Sequence, residues 1–305
     1  MDTTTDKEIL KPSFKPRNAF IAFLLSIFTP GLGQIYNGQL KKGAYLFFSL
    51  LFFNVIFGIT NATHSFYGLA TLFAIEIFLR IYIVIDAIKY AKRQKEYVRK
   101  NYNTWYYHTI IASLILLIIW AYDPKSIFGI ETFSMPTSSN QPTIQVGDWV
   151  VGDMKAYQKT EPNYGDLIVY KKDDGYFYTS RIVGLPNDQL EINDNIVSIN
   201  GKKSKATYIK EAVTDNVAAI EFEEELINGH KHKIYKFKQT FDSTKTNIKD
   251  IKVPANSYYI LGDNRDNSAD SRYIGFINKQ EIYGRIIYSY WGKSIDRINI
   301  RFTDK

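Results

Sequence analysis

Three stretches of the 305-residue chain carry residue types that could do covalent chemistry. The first, Ser134–Asp148, reads Ser-Met-Pro-Thr-Ser-Ser-Asn-Gln-Pro-Thr-Ile-Gln-Val-Gly-Asp and crowds hydroxyls beside two prolines. The second is Tyr178–Asp188, Tyr-Thr-Ser-Arg-Ile-Val-Gly-Leu-Pro-Asn-Asp, and the third is Gly262–Arg272, Gly-Asp-Asn-Arg-Asp-Asn-Ser-Ala-Asp-Ser-Arg. The chain has no cysteine, which removes both a thiol nucleophile and a disulfide framework. No His/Asp/Glu spacing suggests a metal site, and no phosphate loop or cofactor fingerprint is present. For peptide-bond cleavage without a thiol or a metal, the nucleophile would then be an activated hydroxyl. Taken alone, the first stretch reads equally well as a polar loop leaving a membrane.

The elements around these stretches fall into two halves. Residues 19–122 are rich in Phe, Leu and Ile, whereas residues 140–305 are mixed, Tyr-rich and charged. The formal charge of +7 is concentrated beside the apolar segments, which favours membrane topology over nucleic acid as its reason. Residues 1–18 form a polar tail with Lys7, Lys11, Lys15 and Arg17. Ala19–Ile35 is apolar but interrupted by Pro30-Gly31-Leu32-Gly33, and a span needs roughly 20 residues. It is expected to form a kinked or re-entrant hairpin. Ala44–Thr60, Phe66–Ile88 and Tyr106–Tyr122 read as three spans. Glu76 and Arg80 stand four apart, the spacing of a helical ion pair. The basic segment Lys89–Lys100 should be cytoplasmic, which places residues 123–305 outside the cell.

From Trp149 onward, β-branched and aromatic residues alternate with turn signals, so a mainly β domain of antiparallel sheets is expected. Leu167–Lys171 and Tyr176–Val183 flank Asp173-Asp174-Gly175 and read as a hairpin. Glu191–Ile199, Ile234–Lys238 and Tyr258–Leu261 read as further strands, and Lys203–Lys252 as the least patterned part. His230-Lys231-His232 reads as a solvated polar run away from the three stretches.

In order and spacing, from about Glu131 to Gly284, the three stretches resemble the bacterial type I signal peptidases. The first carries the pattern Ser-x-x-Pro-Thr-[apolar]-x-x-Gly-Asp, starting at Ser139. The resemblance implies a membrane-bound serine endopeptidase of the plasma (inner) membrane, without cofactor or metal. Its partners would be the signal peptides of exported precursors and the lipid bilayer, with no nucleic acid. It implies Ser139 as nucleophile, ahead of Ser138 and of the similar-looking Ser134. Thr137 falls where the family places a hydroxyl donor to the oxyanion. Ser268, Asp270 and Arg272 of the third stretch would support the site, the last two as a charge pair.

One position departs from the family. Ser180 stands where the general-base lysine is expected, and a serine hydroxyl does not accept a proton near neutral pH. With Asp174-Gly175 as a two-residue turn, Val169 would pair with Ser180 and Lys171 with Tyr178. Lys171 would then share the face of Ser180, a diagonal step of about 7 Å away, as a substitute base. A one-residue change of register would move it to the other face. The alternative is a catalytically degenerate homologue that binds signal peptides, or assists assembly, without cleaving them.

Overall fold

The computed structural model describes residues 16–97, 100, 102–121, 127–239 and 242–303. Lys7, Lys11, Lys15, Arg99 and Tyr122-Asp123 lie outside the described residues. The chain divides into two compact units, Met1–Thr63 with Tyr67–Phe128, and His64–Phe66 with Gly129–Lys305.

The first unit is helical. Helix α1 (Ala19–Phe28) is capped by the Asn18 side chain, which accepts from the backbone N–H of Phe20 and Ile21. It ends at Thr29-Pro30-Gly31, where Gly31 is left-handed (φ 89°), and a short α2 (Leu32–Tyr36) follows. Gly33 permits this fold-back, since a Cβ there would lie 2.0 Å from Ser26 Oγ and 2.5 Å from the Ala22 carbonyl. The predicted break in the first apolar run is thus a helix–turn–helix. Helices α3 (Leu40–Ile59) and α4 (Phe66–Arg93) are long and apolar enough to cross a membrane, while α5 (Trp105–Ala121) is shorter. Several polar groups inside this unit are paired across helices. Gln34 Nε2 donates to the Ile83 carbonyl at 2.7 Å, and Lys42 Nζ meets Asp86 at 2.7 Å. Glu76 accepts from Asn54 Nδ2 at 2.6 Å, so its partner is on the preceding helix and not at Arg80, one turn along its own.

The second unit is antiparallel β. Its main sheet has the order β1 (Ile130–Ser134), β2 (Trp149–Asp153), β14 (Ile282–Trp291), β3 (Leu167–Lys171), β4 (Phe177–Gly184), β12 (Ser257–Leu261), β13 (Ile277–Asn278). A second sheet contains β5 (Gln189–Asn193), β6 (Ile196–Ile199), β7 (Lys202–Lys203) and β11 (Ile248–Lys252). The third is a meander of β8 (Lys205–Thr214), β9 (Val217–Glu225) and β10 (Lys231–Phe237). Val150, Leu167, Val169 and Ile286 form a core on one face of the main sheet; Ile168, Tyr170, Ile182 and Ile260 form one on the other. Apolar residues on both faces explain why β3 reads as a continuous hydrophobic run.

Two expectations are corrected. Glu191–Ile199 is a hairpin and not one strand, because Asp194 and Asn195 take left-handed φ of 49° and 64° and turn the chain. Within Lys203–Lys252 lies a whole sheet. Strand β8 is exposed at nearly every residue, so it shows no alternation of apolar and polar positions.

Candidate active site

The segment Met135–Asp148 is folded on itself by its own backbone. Met135 N donates to the Asp148 carbonyl at 2.9 Å and Gly147 N to the Met135 carbonyl at 2.7 Å. Gly147 takes a left-handed φ of 92° to close this loop. Asp148 is buried; it accepts from Gln145 N at 2.8 Å and pairs with Arg297. Ile144 plugs the core beneath. The Gly-Asp pair, five residues beyond Pro142, therefore cinches the hydroxyl-bearing segment onto the sheet.

Within this loop Thr137 Oγ1 and Ser139 Oγ stand 3.2 Å apart. The backbone of Ser139 is held from the third stretch. Asn264 N donates to the Ser139 carbonyl at 3.0 Å and Asn264 Nδ2 to the Ser138 carbonyl at 3.1 Å. Gly262 is required here, since a Cβ would fall 2.1 Å from Ser268 Oγ and 2.6 Å from the Ser139 carbonyl. That close approach brings Ser268 and Ser139 to the same spot. Ser138 turns its hydroxyl away, onto the Asp215 carboxylate. Thr137, Ser139, Ser180 and Ser268 all open onto a cleft of about 1370 Å³, which Ser134 and Ser138 also line.

Beneath the cleft lie charges that burial makes costly unless they are paired. Arg181, beside Ser180, donates through Nε and Nη2 to the two oxygens of Asp263 at 2.8 and 2.7 Å, and through Nη1 to the Gly165 carbonyl at 2.6 Å. Asp270 and Arg272 form a second two-pronged pair at 2.8 and 2.7 Å, and Asp270 also accepts from Gly262 N at 3.0 Å. A third pair joins Arg265 to Glu224. The two histidines belong to this network, which corrects their reading as solvated. His230 Nε2 lies 3.1 Å from Arg181 Nη1, and His232 Nε2 lies 3.2 Å from Glu224 and 3.9 Å from Asp263. Burial, with the Arg181 guanidinium beside it, pushes the His232 imidazole down to about 4 despite the two carboxylates. Burial opposes the ionisation of Glu224, yet Arg265 and His232 hold its carboxyl down at about 2. His232 is therefore neutral and its carboxylate neighbours ionised at neutral pH. Nothing in the run His230-Lys231-His232 distinguished these histidines from solvated ones.

The position of Ser180 decides what the site lacks. Ser180 is buried, donates to the Thr179 carbonyl at 2.8 Å and touches the Tyr170 hydroxyl. Burial pushes that phenol up to about 12, so it stays protonated and cannot serve as a base. The expected register of the preceding hairpin is not the one formed. Ile168 pairs with Ser180 and Lys171 with Phe177, which leaves five residues, Lys172–Tyr176, in the connection. Lys171 consequently sits on the opposite face, with Nζ 5.6 Å from the Phe177 ring centre and 6.0 Å from that of Tyr283. The register from which Lys171 was expected as a substitute base is thus not the one formed. Lys172 does line the cleft, but it pairs with Glu281 at 3.2 Å.

A family model described as signal peptidase, peptidase S26, matches residues 103–291. The chain belongs to this signal peptidase family. The probable signal peptidase I-2 of Synechocystis sp. is 28% identical over 203 residues, covering 62% of this chain and 74% of that protein. The signal peptidase I of Pseudomonas fluorescens is 29% identical over 231 residues, 68% of this chain and 77% of its own. The signal peptidase IB of Staphylococcus aureus is 25% identical over 194 residues, 64% of this chain and 92% of its own. A crystal structure of a signal peptidase I from Enterococcus faecalis aligns with 41% of this chain and 97% of that one, at 25% identity and a TM-score of 0.26. Apolar helices followed by a mainly antiparallel β domain are the architecture expected from the sequence.

Proposed function

We propose that this chain is a membrane-anchored serine endopeptidase that removes signal peptides from exported precursor proteins. The observation that carries the reading is the Thr137–Ser139 hydroxyl pair, 3.2 Å apart at the mouth of a cleft of about 1370 Å³. Ser139 Oγ would attack the scissile carbonyl and form a tetrahedral oxyanion. The Thr137 hydroxyl and the Ser139 backbone N–H would donate to that oxyanion. Collapse expels the new amino terminus of the mature protein as an amine carrying the proton that Ser139 Oγ gave up. Water then hydrolyses the acyl ester, its proton returning to Ser139 Oγ. The Arg181–Asp263 and Asp270–Arg272 pairs support the loop that carries Ser139, through Asn264 and Gly262.

The cleft also suits an extended peptide. Among the described residues β1 is laddered only to β2, and β12 pairs with β4 only from Arg181 onward. The cleft-side edges of β1 and of Phe177–Ser180 are thus open to an added strand, a mode in which main-chain hydrogen bonds supply affinity. Helices α3, α4 and the shorter α5 would span the plasma membrane, with the basic segment between α4 and α5 cytoplasmic and the β domain outside.

A second reading has its own observation. Ser180 brings no amine to the cleft, and both neighbouring lysines are engaged elsewhere. The chain would then capture signal peptides without cleaving them. Incubating a precursor with the wild type, Ser139→Ala and Ser180→Lys, and measuring signal-peptide binding alongside, separates the two. Cleavage by the wild type that Ser139→Ala abolishes establishes the peptidase. Binding without cleavage, with cleavage gained by Ser180→Lys, establishes the capture protein. Neither binding nor cleavage removes both.

A further inference from the structure

The wall of the cleft next to Ser138 is supplied from far along the chain. The β8–β9 hairpin turns at Asp215-Asn216, both left-handed (φ 48° and 64°), in a two-residue turn that these residue types favour. Its tip is tied to the segment that carries Ser139. Thr214 Oγ1 donates to Gln141 Oε1 at 2.7 Å and accepts from Asn264 Nδ2 at 3.0 Å. Asp215 Oδ2 accepts from the Ser138 hydroxyl and from Asn267 Nδ2, the latter at 2.7 Å. Both bonds go to one oxygen of a carboxylate that remains exposed in the cleft.

The charge lining the cleft opposes that of the whole chain. The formal net charge is +7, yet Asp174 and Asp215 line the cleft against a single amine, Lys172, which Glu281 already neutralises. Asp174 accepts from the Tyr178 hydroxyl at 2.6 Å. Asp215 is the carboxylate bonded to the residue next to Ser139.

We propose that Asp215 is a specificity-determining residue, selecting peptide segments with a lysine or arginine side chain beside the bond presented to Ser139. The proposal rests on the peptide-binding reading of the cleft. Ser138 and Asn267 fix one carboxylate oxygen, and the same carboxylate meets the incoming cation with its other oxygen. Pre-fixing the acceptor spares the ordering cost that weakens most exposed ion pairs. If Asp215 served only to pin the hairpin tip, its replacement would change affinity for all peptides alike and leave their ranking intact.

The test uses the full-length chain in detergent as the Ser139→Ala variant, so that binding is read without turnover. Fluorescent signal-peptide segments differ only by Lys, Gln or Glu beside the small-residue cleavage position. The Lys peptide should bind about two- to fivefold more tightly than the Gln peptide, and the Glu peptide more weakly, with the spread shrinking at high salt. Adding Asp215→Asn should bring the three within twofold of one another, and Asp215→Lys should invert their order. Equal affinities before substitution, or a ranking that survives Asp215→Asn, overturns the proposal while leaving the peptide cleft in place. Failure of all three peptides to bind overturns the cleft reading and this inference with it.

Discussion

Lys171 and Ser180 stand on opposite faces of one hairpin, since Ser180 pairs with Ile168 and Lys171 with Phe177. Lys171 Nζ rests by the Phe177 and Tyr283 rings, and Lys171 is not among the residues that line the cleft. Lys171→Met is therefore expected to cleave precursor at a rate within twofold of the wild type. Ser180→Lys should raise the rate at least tenfold, because a positioned general base contributes about 10²–10⁴-fold. Timed precursor cleavage measures both, and a collapse of activity in Lys171→Met would restore Lys171 as the base.

Thr137 is exposed and its hydroxyl meets Ser139 Oγ. Thr137→Val keeps the shape and removes the donor. The expected result is a fall in kcat of about 10²–10³-fold, the usual cost of losing one oxyanion donor, with an unchanged Tm. Thr137→Ser should retain most activity. Full activity in Thr137→Val would show that the oxyanion is held by other groups.

Arg181 and Asp263 are both buried and joined by two hydrogen bonds. Removing one partner strands the other charge, which typically costs about 3–5 kcal/mol. Arg181→Met should accordingly lower thermal stability sharply, and the double variant Arg181→Met/Asp263→Leu should recover part of the loss. Thermal unfolding of the detergent-solubilised chain reads this; a Tm unaffected by Arg181→Met would contradict it.

Acid should destabilise the β domain in two windows. His232 titrates at about 4 in the fold against 6.5 when free. The unfolded chain thus binds the extra proton first, and stability falls as pH drops from about 6.5 to about 4. Glu224, at about 2 against 4.5, adds a loss as pH falls through that lower range. The groups facing His232 are Arg181, Glu224 and Asp263, with the His230 ring centre 5.6 Å away. His232→Asn should flatten the upper window and only reduce the lower one, since Arg265 still faces Glu224, in a series of Tm measurements between pH 7.5 and pH 3. An unaltered slope above pH 4.5 would assign the upper window to another group.

The absence of cysteine makes topology directly measurable. A single cysteine at Lys202 should react with a membrane-impermeant reagent in intact cells, and one at Lys95 should react only after permeabilisation. Reaction of both in intact cells would reverse the proposed orientation.

What the sequence by itself determined were features carried by neighbouring residues. The apolar runs, the Pro30-Gly31 break and the motif-bearing stretches are local patterns, legible because composition and spacing act within a few turns or strands. Gly147-Asp148 and Gly262 could be singled out in the same way, and the loop they close is where Thr137 and Ser139 meet. Tertiary structure alone decided the rest. The face of Lys171 depends on the number of residues in one turn, and a change of one inverts it. The burial of His230 and His232 depends on Arg181 and Asp263, 49 or more residues from His230 and 31 from His232 respectively. Asp215 reaches Ser138 across 77 residues because an exposed strand without periodicity folds back as a hairpin. Such contacts are set by which elements pack together, and a solvent-facing strand carries no hydrophobic pattern from which its partners could be read.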